Sequence, residues 1–116
     1  MVSKFQSLKS NRDFRHVYRM GKSKANRCFV MIILKNDLSH NRVGISVSKK
    51  VGNSVVRHRV TRVIRELVRL HWEEIEQGYD IVIVARSSAS DSDYHIFESA
   101  IHHLLNLHHL LLTEEE

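Results

Sequence analysis

The stretch from Arg42 to Arg69, RVGISVSKKVGNSVVRHRVTRVIRELVR, constrains this chain more than any other part of it. It opens with strict alternation, which sends Val43, Ile45 and Val47 to one face of a strand and Gly44, Ser46 and Ser48 to the other. It then passes through Lys49, Lys50 and Gly52 into a run with apolar residues at helical spacing. Val56, Val60, Val63, Ile64 and Leu67 gather on one side of that helix, while His58, Arg59, Arg62, Arg65 and Arg69 gather on the other. Only Glu66 interrupts the cationic stripe before the acidic Glu73, Glu74 and Glu76. Guanidinium groups crowded at this spacing repel one another unless an anion lies across them, so the helix points to a polyanionic partner. A solvated amphipathic face is the plain alternative. The small strand residues let a backbone or phosphate approach closely, and hydroxyls and lysines can donate to phosphate oxygens. Close packing against small neighbours would account for the same strand.

The rest of the chain reads as short elements around this unit. Ser10 can cap a helix in which Phe14, Val17 and Tyr18 share one side before Gly21 ends it. Arg27 to Lys35 and Arg42 to Lys49 read as adjacent strands, with the intervening NDLSHN suiting an antiparallel connection. Asn53 or Ser54 caps the arginine helix. Tyr79 to Arg86 carries the continuous run Ile81 to Ala85, the pattern of a strand covered on both faces, and a helix from about Asp93 to Leu112 follows. The expected architecture is α+β: a two-layer sandwich of a small mixed sheet with three helices.

Charge supports a polyanionic partner without identifying it. The 116 residues hold 18 Lys plus Arg against 13 Asp plus Glu, and the pI is about 9.7. With 42% hydrophobic residues the chain can build one core, so a single RNA-binding domain over residues 1–116 with frayed ends is expected. The lone Cys28 has no partner for a disulfide or a thiolate metal site, which fits packing in a reduced cytoplasm. The start MVSKFQSLKS lacks the apolar run of a signal peptide, and the apolar stretch near the C-terminus is too short and too interrupted to span a bilayer. A cytoplasmic location with no membrane contact is therefore expected.

The RVGISVSKKVGN turn followed by an R-x-R helix start resembles the signature of the bacterial ribonuclease P protein subunit. The resemblance extends to SNRDFRHVYRMGKSKANRCFV and to DIVIVAR, and so spans most of the chain. It implies a left-handed strand-helix-strand crossover, an exception to the usual right-handed rule, of a kind shared with a ribosomal protein domain. By resemblance that crossover sets the arginine helix against a sheet edge and forms a cleft suited to a single strand. The family departs here at Arg57-His58-Arg59, where Arg-Asn-Arg is usual, at Thr61, where lysine is common, and at Ile32, where some relatives carry an aromatic residue. His58 can still donate a hydrogen bond, but its charge depends on pH.

The resemblance also implies a division of labour. Phe14, Tyr18, Asn26, Arg27, Ser46, Ser48, Lys49 and Arg86 match positions that receive the single-stranded 5′ leader of precursor tRNA, where rings stack on bases without demanding a sequence. Asn26 and Arg27 would brace the loop beside the leader path. Arg57, Arg59, Arg62, Arg65 and Lys50 match contacts to the catalytic ribonuclease P RNA; helical phase puts Arg59 and Arg62 on the outer stripe and Arg57 near its apolar edge. Catalysis would then lie in the RNA, which with Mg²⁺ hydrolyses a phosphodiester and leaves a mature tRNA 5′ end. The protein would act as a monomer within the ribonucleoprotein and hold no metal of its own.

The residues themselves offer no paired carboxylates and no Cys–His couple for chemistry. His102, His103, His108 and His109 are spaced one, five, six and seven apart, which leaves only His102 and His109 on one face, two turns apart. The terminal Glu114, Glu115 and Glu116 read as a frayed tail. Two rivals remain at this point. A ribosomal-type RNA-binding module would share the basic helix but would not distinguish precursor from mature tRNA. A nuclease acting alone would need carboxylates such as Asp80 or Asp93.

Overall fold

The computed structural model describes residues 6–112 except 92, so the acidic tail lies outside the described residues. The elements run α1 (Asn11–Met20), β1 (Lys22–Ala25), β2 (Phe29–Lys35), β3 (Arg42–Ser46), α2 (Ser54–Leu70), β4 (Tyr79–Ala85) and α3 (Tyr94–Leu107), with 3-10 turns at Trp72–Glu74 and Ser87–Asp91. The helix starts follow the sequence signals. Ser10 Oγ accepts from the Arg12 and Asp13 amides, Asn53 Oδ1 from Val56, and Asp93 Oδ1 from Ile96.

The four strands lie in the order β1-β2-β4-β3. β2 and β3 are thus separated, and the adjacency read from the NDLSHN connection is corrected: β4 enters between them, antiparallel to β2 and parallel to β3. Its run of apolar residues is what fills a central, doubly covered position. The β3–α2–β4 connection is the crossover between these parallel neighbours. β1 is a further difference, since the polar KSKA carries no alternation to announce a strand. It forms because Asn26 closes a tight turn, its Oδ1 accepting from the Cys28 and Phe29 amides at 3.1 and 3.0 Å, which lays β1 along β2.

Alternation along the strands builds two apolar layers. On one face Phe29, Met31, Ile33, Ile81 and Ile83 meet Val60, Ile64 and Leu67 of α2 and Phe97, Ile101 and Leu104 of α3. On the other, Ile32 and Val82 meet Leu8 and Val17, so α1 covers part of the opposite face. Ile32 is buried there beneath α1. α3 is shorter than its apolar pattern because His109 turns left-handed at φ 60°, and the Leu110 amide returns to the Leu105 carbonyl. Leu111 then pairs with Ile75, which draws the chain away from the helix axis.

A three-residue ionic link fastens α2 to α3. His71, just past the end of α2, places Nδ1 2.9 Å from Glu74 Oε1 and Nε2 2.7 Å from Glu98 Oε2. Only an imidazolium can donate from both nitrogens at once. Burial pushes the His71 pKa down, but the hydrogen bonds to Glu98 and Glu74 outweigh it and leave the pKa raised. A raised folded pKa makes this contribution complete below the ordinary value of 6.5 and lost as pH climbs through the folded pKa. The melting temperature gap between the native chain and His71→Gln is therefore expected to be widest near pH 5.5 and to shrink towards about pH 8.5. A gap that stays constant across that range in thermal melts would refute the linkage.

Candidate RNA-binding surfaces

α1 brings Asn11, Phe14, Arg15 and Tyr18 to one side at helical spacing, and they face β3 across an open groove completed by Ile45 and Ser46. The rings of Phe14 and Tyr18 have centroids 6.3 Å apart at 42°. Phe14 lies against the β3 backbone at Gly44, where an added Cβ would stand 2.5 Å from Cζ and 2.8 Å from Cε1. Glycine is required there because the ring occupies that space. Tyr18 is 47% exposed, enough to offer a ring face to a ligand. Aromatic rings beside a hydroxyl and a cation suit single-stranded nucleic acid, in which each base offers a π-face and each linkage a charge. The arginine helix does not form this groove: its apolar side packs on the other face of the sheet, which corrects the expected cleft.

Arg42 links β3 to α1 beside the groove and was not among the sequence candidates. Its Nε and Nη2 donate to the two carboxylate oxygens of buried Asp80 at 2.9 and 2.7 Å, and its Nη1 lies 3.5 Å from Asp13 of α1. The hydrogen bond to Asp80 is the main cause raising the guanidinium pKa, against a smaller loss from burial. Asn36 Nδ2 donates to the same carboxylate. Asn11 and Arg15 were likewise missed, although their spacing from Phe14 and Tyr18 carried the signal.

Near the end of the sheet where β3 stops, Ser48, Lys49 and Lys50 are exposed in a turn, with Ser48 Oγ accepting from the Lys50 amide. Arg86 is exposed, and its Nη1 donates to the Asn26 carbonyl at 2.9 Å. Asn26 Nδ2 donates to the Ala100 carbonyl of α3, so its amide braces the β1–β2 turn. Arg27 is exposed beside it, its carbonyl accepting from Ser88.

On α2 the arginines divide. Arg57 is partly buried and donates to the Gly52 carbonyl at 2.9 Å, clamping the turn that precedes its own helix. Arg59 donates to the Ser90 carbonyl at 3.1 Å and is partly buried, so it is less of an outer residue than helical phase suggested. His58, Arg62 and Arg65 are exposed, and neither Arg62 nor Arg65 has a hydrogen bond or ion pair with a described residue. The carboxylates that a self-sufficient nuclease would need are occupied, Asp80 with Arg42 and Asp93 at the start of α3. Among the described residues no group of three His, Cys, Asp or Glu side chains is set to hold a metal ion.

A family model described as Ribonuclease P matches residues 2–108. The chain belongs to the ribonuclease P protein family. It is 52% identical over 110 residues to the ribonuclease P protein component of Lachnoclostridium phytofermentans, covering 95% of each chain. A ribonuclease P protein component of Clostridium botulinum is 52% identical over 103 residues, with 88% of this chain and 93% of the relative covered. The fold agrees with that of the Staphylococcus aureus RNase P protein, at a TM-score of 0.87, 37% identity and coverage of 94% of this chain and all of that one. The Thermotoga maritima RNase P protein gives 0.81 at 31% identity, with coverage of 88% and 96%. Family membership makes the chain a protein component of a tRNA-processing ribonucleoprotein endoribonuclease, associated with a ribonuclease P RNA.

Proposed function

We propose that the two surfaces hold two different RNAs: the α1–β3 groove takes the single-stranded 5′ leader of precursor tRNA, and the exposed stripe of α2 docks on the catalytic RNA. The observation that carries this reading is the packing of Phe14 on Gly44, which sets an aromatic ring beside exposed Tyr18 and Ser46 on the face opposite the arginine stripe. A groove built this way accepts bases by stacking and phosphates by charge, and so tolerates many leader sequences. Arg15, Lys49 and Arg86 supply charge along or near it, while Asn26 and Arg27 shape its approach. Arg62 and Arg65 lead the contact to the catalytic RNA, with Lys50 beside them in the preceding turn and Arg57 and Arg59 holding the ends of the surface in place.

In this reading the protein binds substrate and RNA but performs no bond cleavage. Mg²⁺ belongs to the RNA and its substrate, and Asp80 and Asp93 are engaged with Arg42 and at a helix start. Hydrolysis of the phosphodiester gives the mature tRNA 5′ end, and the protein favours precursor over product because only precursor fills the groove. The chain works as a monomer in the cytoplasm; no helix among the described residues is long and apolar enough to cross a membrane.

The test is cleavage of a leader-bearing precursor tRNA by a bacterial ribonuclease P RNA at low Mg²⁺, with and without the protein. Strong stimulation is expected, falling by about ten-fold in an Arg62→Ala plus Arg65→Ala variant as two phosphate contacts are lost. No stimulation with any bacterial RNA type would favour a plain RNA-binding module.

A further inference from the structure

We infer that the groove between β1 and the C-terminal end of α3 is a second docking surface for the phosphate backbone of the catalytic RNA. This rests on the assignment of that RNA as partner. β1 ends the sheet, so its outer edge has no neighbouring strand. Lys22 and Lys24 stand opposite Ile33 and Met31, on the face that carries α3, and Lys35 stands opposite Tyr79. These three lysines, His109, Tyr79 and Leu107 line one groove, and no carboxylate lines it among the described residues. None of the three lysines has an ion pair with a described residue.

Two histidines lie beside these lysines. His108 is buried with Nε2 donating to the Met31 carbonyl at 2.9 Å, and burial lowers its pKa first, followed by the charges of Lys24, Lys22 and His109. His109 itself sits at φ 60°, a left-handed position after a helix where glycine or asparagine is preferred.

A guarded edge is the alternative, because lysines on a short exposed strand discourage pairing with another chain. That accounts for Lys22 and Lys24. It does not account for Lys35, which stands on β2 beyond the last residue paired with β1, beside Tyr79 of β4, yet lines the same groove. The groove also lies on the same face as α2, with α3 between them, in a molecule whose longest extent is 38 Å. One large folded RNA can touch both surfaces, whereas a leader seated between α1 and β3 lies across the sheet.

Binding of the protein to ribonuclease P RNA over a range of salt concentrations tests this, using a Lys22→Gln, Lys24→Gln, Lys35→Gln variant beside the Arg62→Ala, Arg65→Ala variant. The lysine variant is expected to bind about ten-fold more weakly, with a salt slope shallower by about two to three, one unit per lost phosphate contact. Its preference for precursor over mature tRNA should be unchanged. Native affinity and slope in the lysine variant, with weakening confined to the arginine variant, would overturn the inference and leave the lysines as edge guards. Native affinity in both would overturn the inference and move the RNA contact off the arginine stripe as well. If the triple variant aggregates, Lys35→Gln alone gives the same reading, expected at about one unit of slope.

Discussion

Phe14→Ala is expected to cut the preference for precursor over mature tRNA by about five- to 150-fold, the equivalent of one base-stacking contact of about 1–3 kcal/mol. The ring is partly buried against Gly44, and its removal takes away both a stacking surface and the floor on which Tyr18 is set. Gly44→Ala reaches the same result from the other side of the contact. A methyl group there would stand 2.5 Å from the ring, so Phe14 must leave its seat while every groove side chain keeps its chemical identity. Both variants should bind the catalytic RNA with native affinity, because α2 packs on the opposite face. The measurement is a pair of dissociation constants, for precursor and mature tRNA, on the assembled ribonucleoprotein. Gly44→Ala retaining native discrimination while Phe14→Ala loses it would mean that the seating of the ring is unimportant. Native discrimination in both would remove the leader from this groove.

Much of this was legible in the sequence where a local signal carries the structure. Ser10, Asn53 and Asp93 announce helix starts because a short polar side chain satisfies amides that the helix leaves unpaired. The arginine stripe of α2 followed from periodicity alone, as did the shared face of Phe14 and Tyr18. What was not legible depends on pairing between distant segments. Nothing local in KSKA marks β1, whose existence depends on the Asn26 turn and an available edge of β2. Strand order was hidden for the same reason, since β4 comes last in the chain yet enters between β2 and β3. Helical phase placed Arg59 outward but could not register the Ser90 carbonyl that it meets thirty-one residues later. Gly44 read as room for a ligand; the structure fills that room with the protein's own Phe14, and the ligand surface moves outward to the ring and Tyr18.

Arg42→Ala is expected to be the most destabilising single change in the groove's framework, at about 3 kcal/mol, the lower end of the range for breaking a buried ion pair. Asp80 is 3% exposed and receives both prongs of the Arg42 fork. Without that fork the carboxylate stays buried with the Asn36 amide as its remaining side-chain donor. The lower end applies because Arg42 is itself partly open to water, which has already screened some of the attraction. For a domain of this size the change lowers the melting temperature by at least about 10 °C. Arg42→Lys should recover only part of the loss, since an ammonium supplies charge without the bidentate geometry. An Arg42→Leu plus Asp80→Leu variant should melt well above Arg42→Ala, because it removes the stranded charge together with its partner. The same double variant should still bind leader poorly, because the link from Arg42 to Asp13 that ties α1 to the sheet is gone. Recovery of both stability and leader affinity would show that apolar packing alone sets α1 and that the Arg42 bridge is dispensable for the groove.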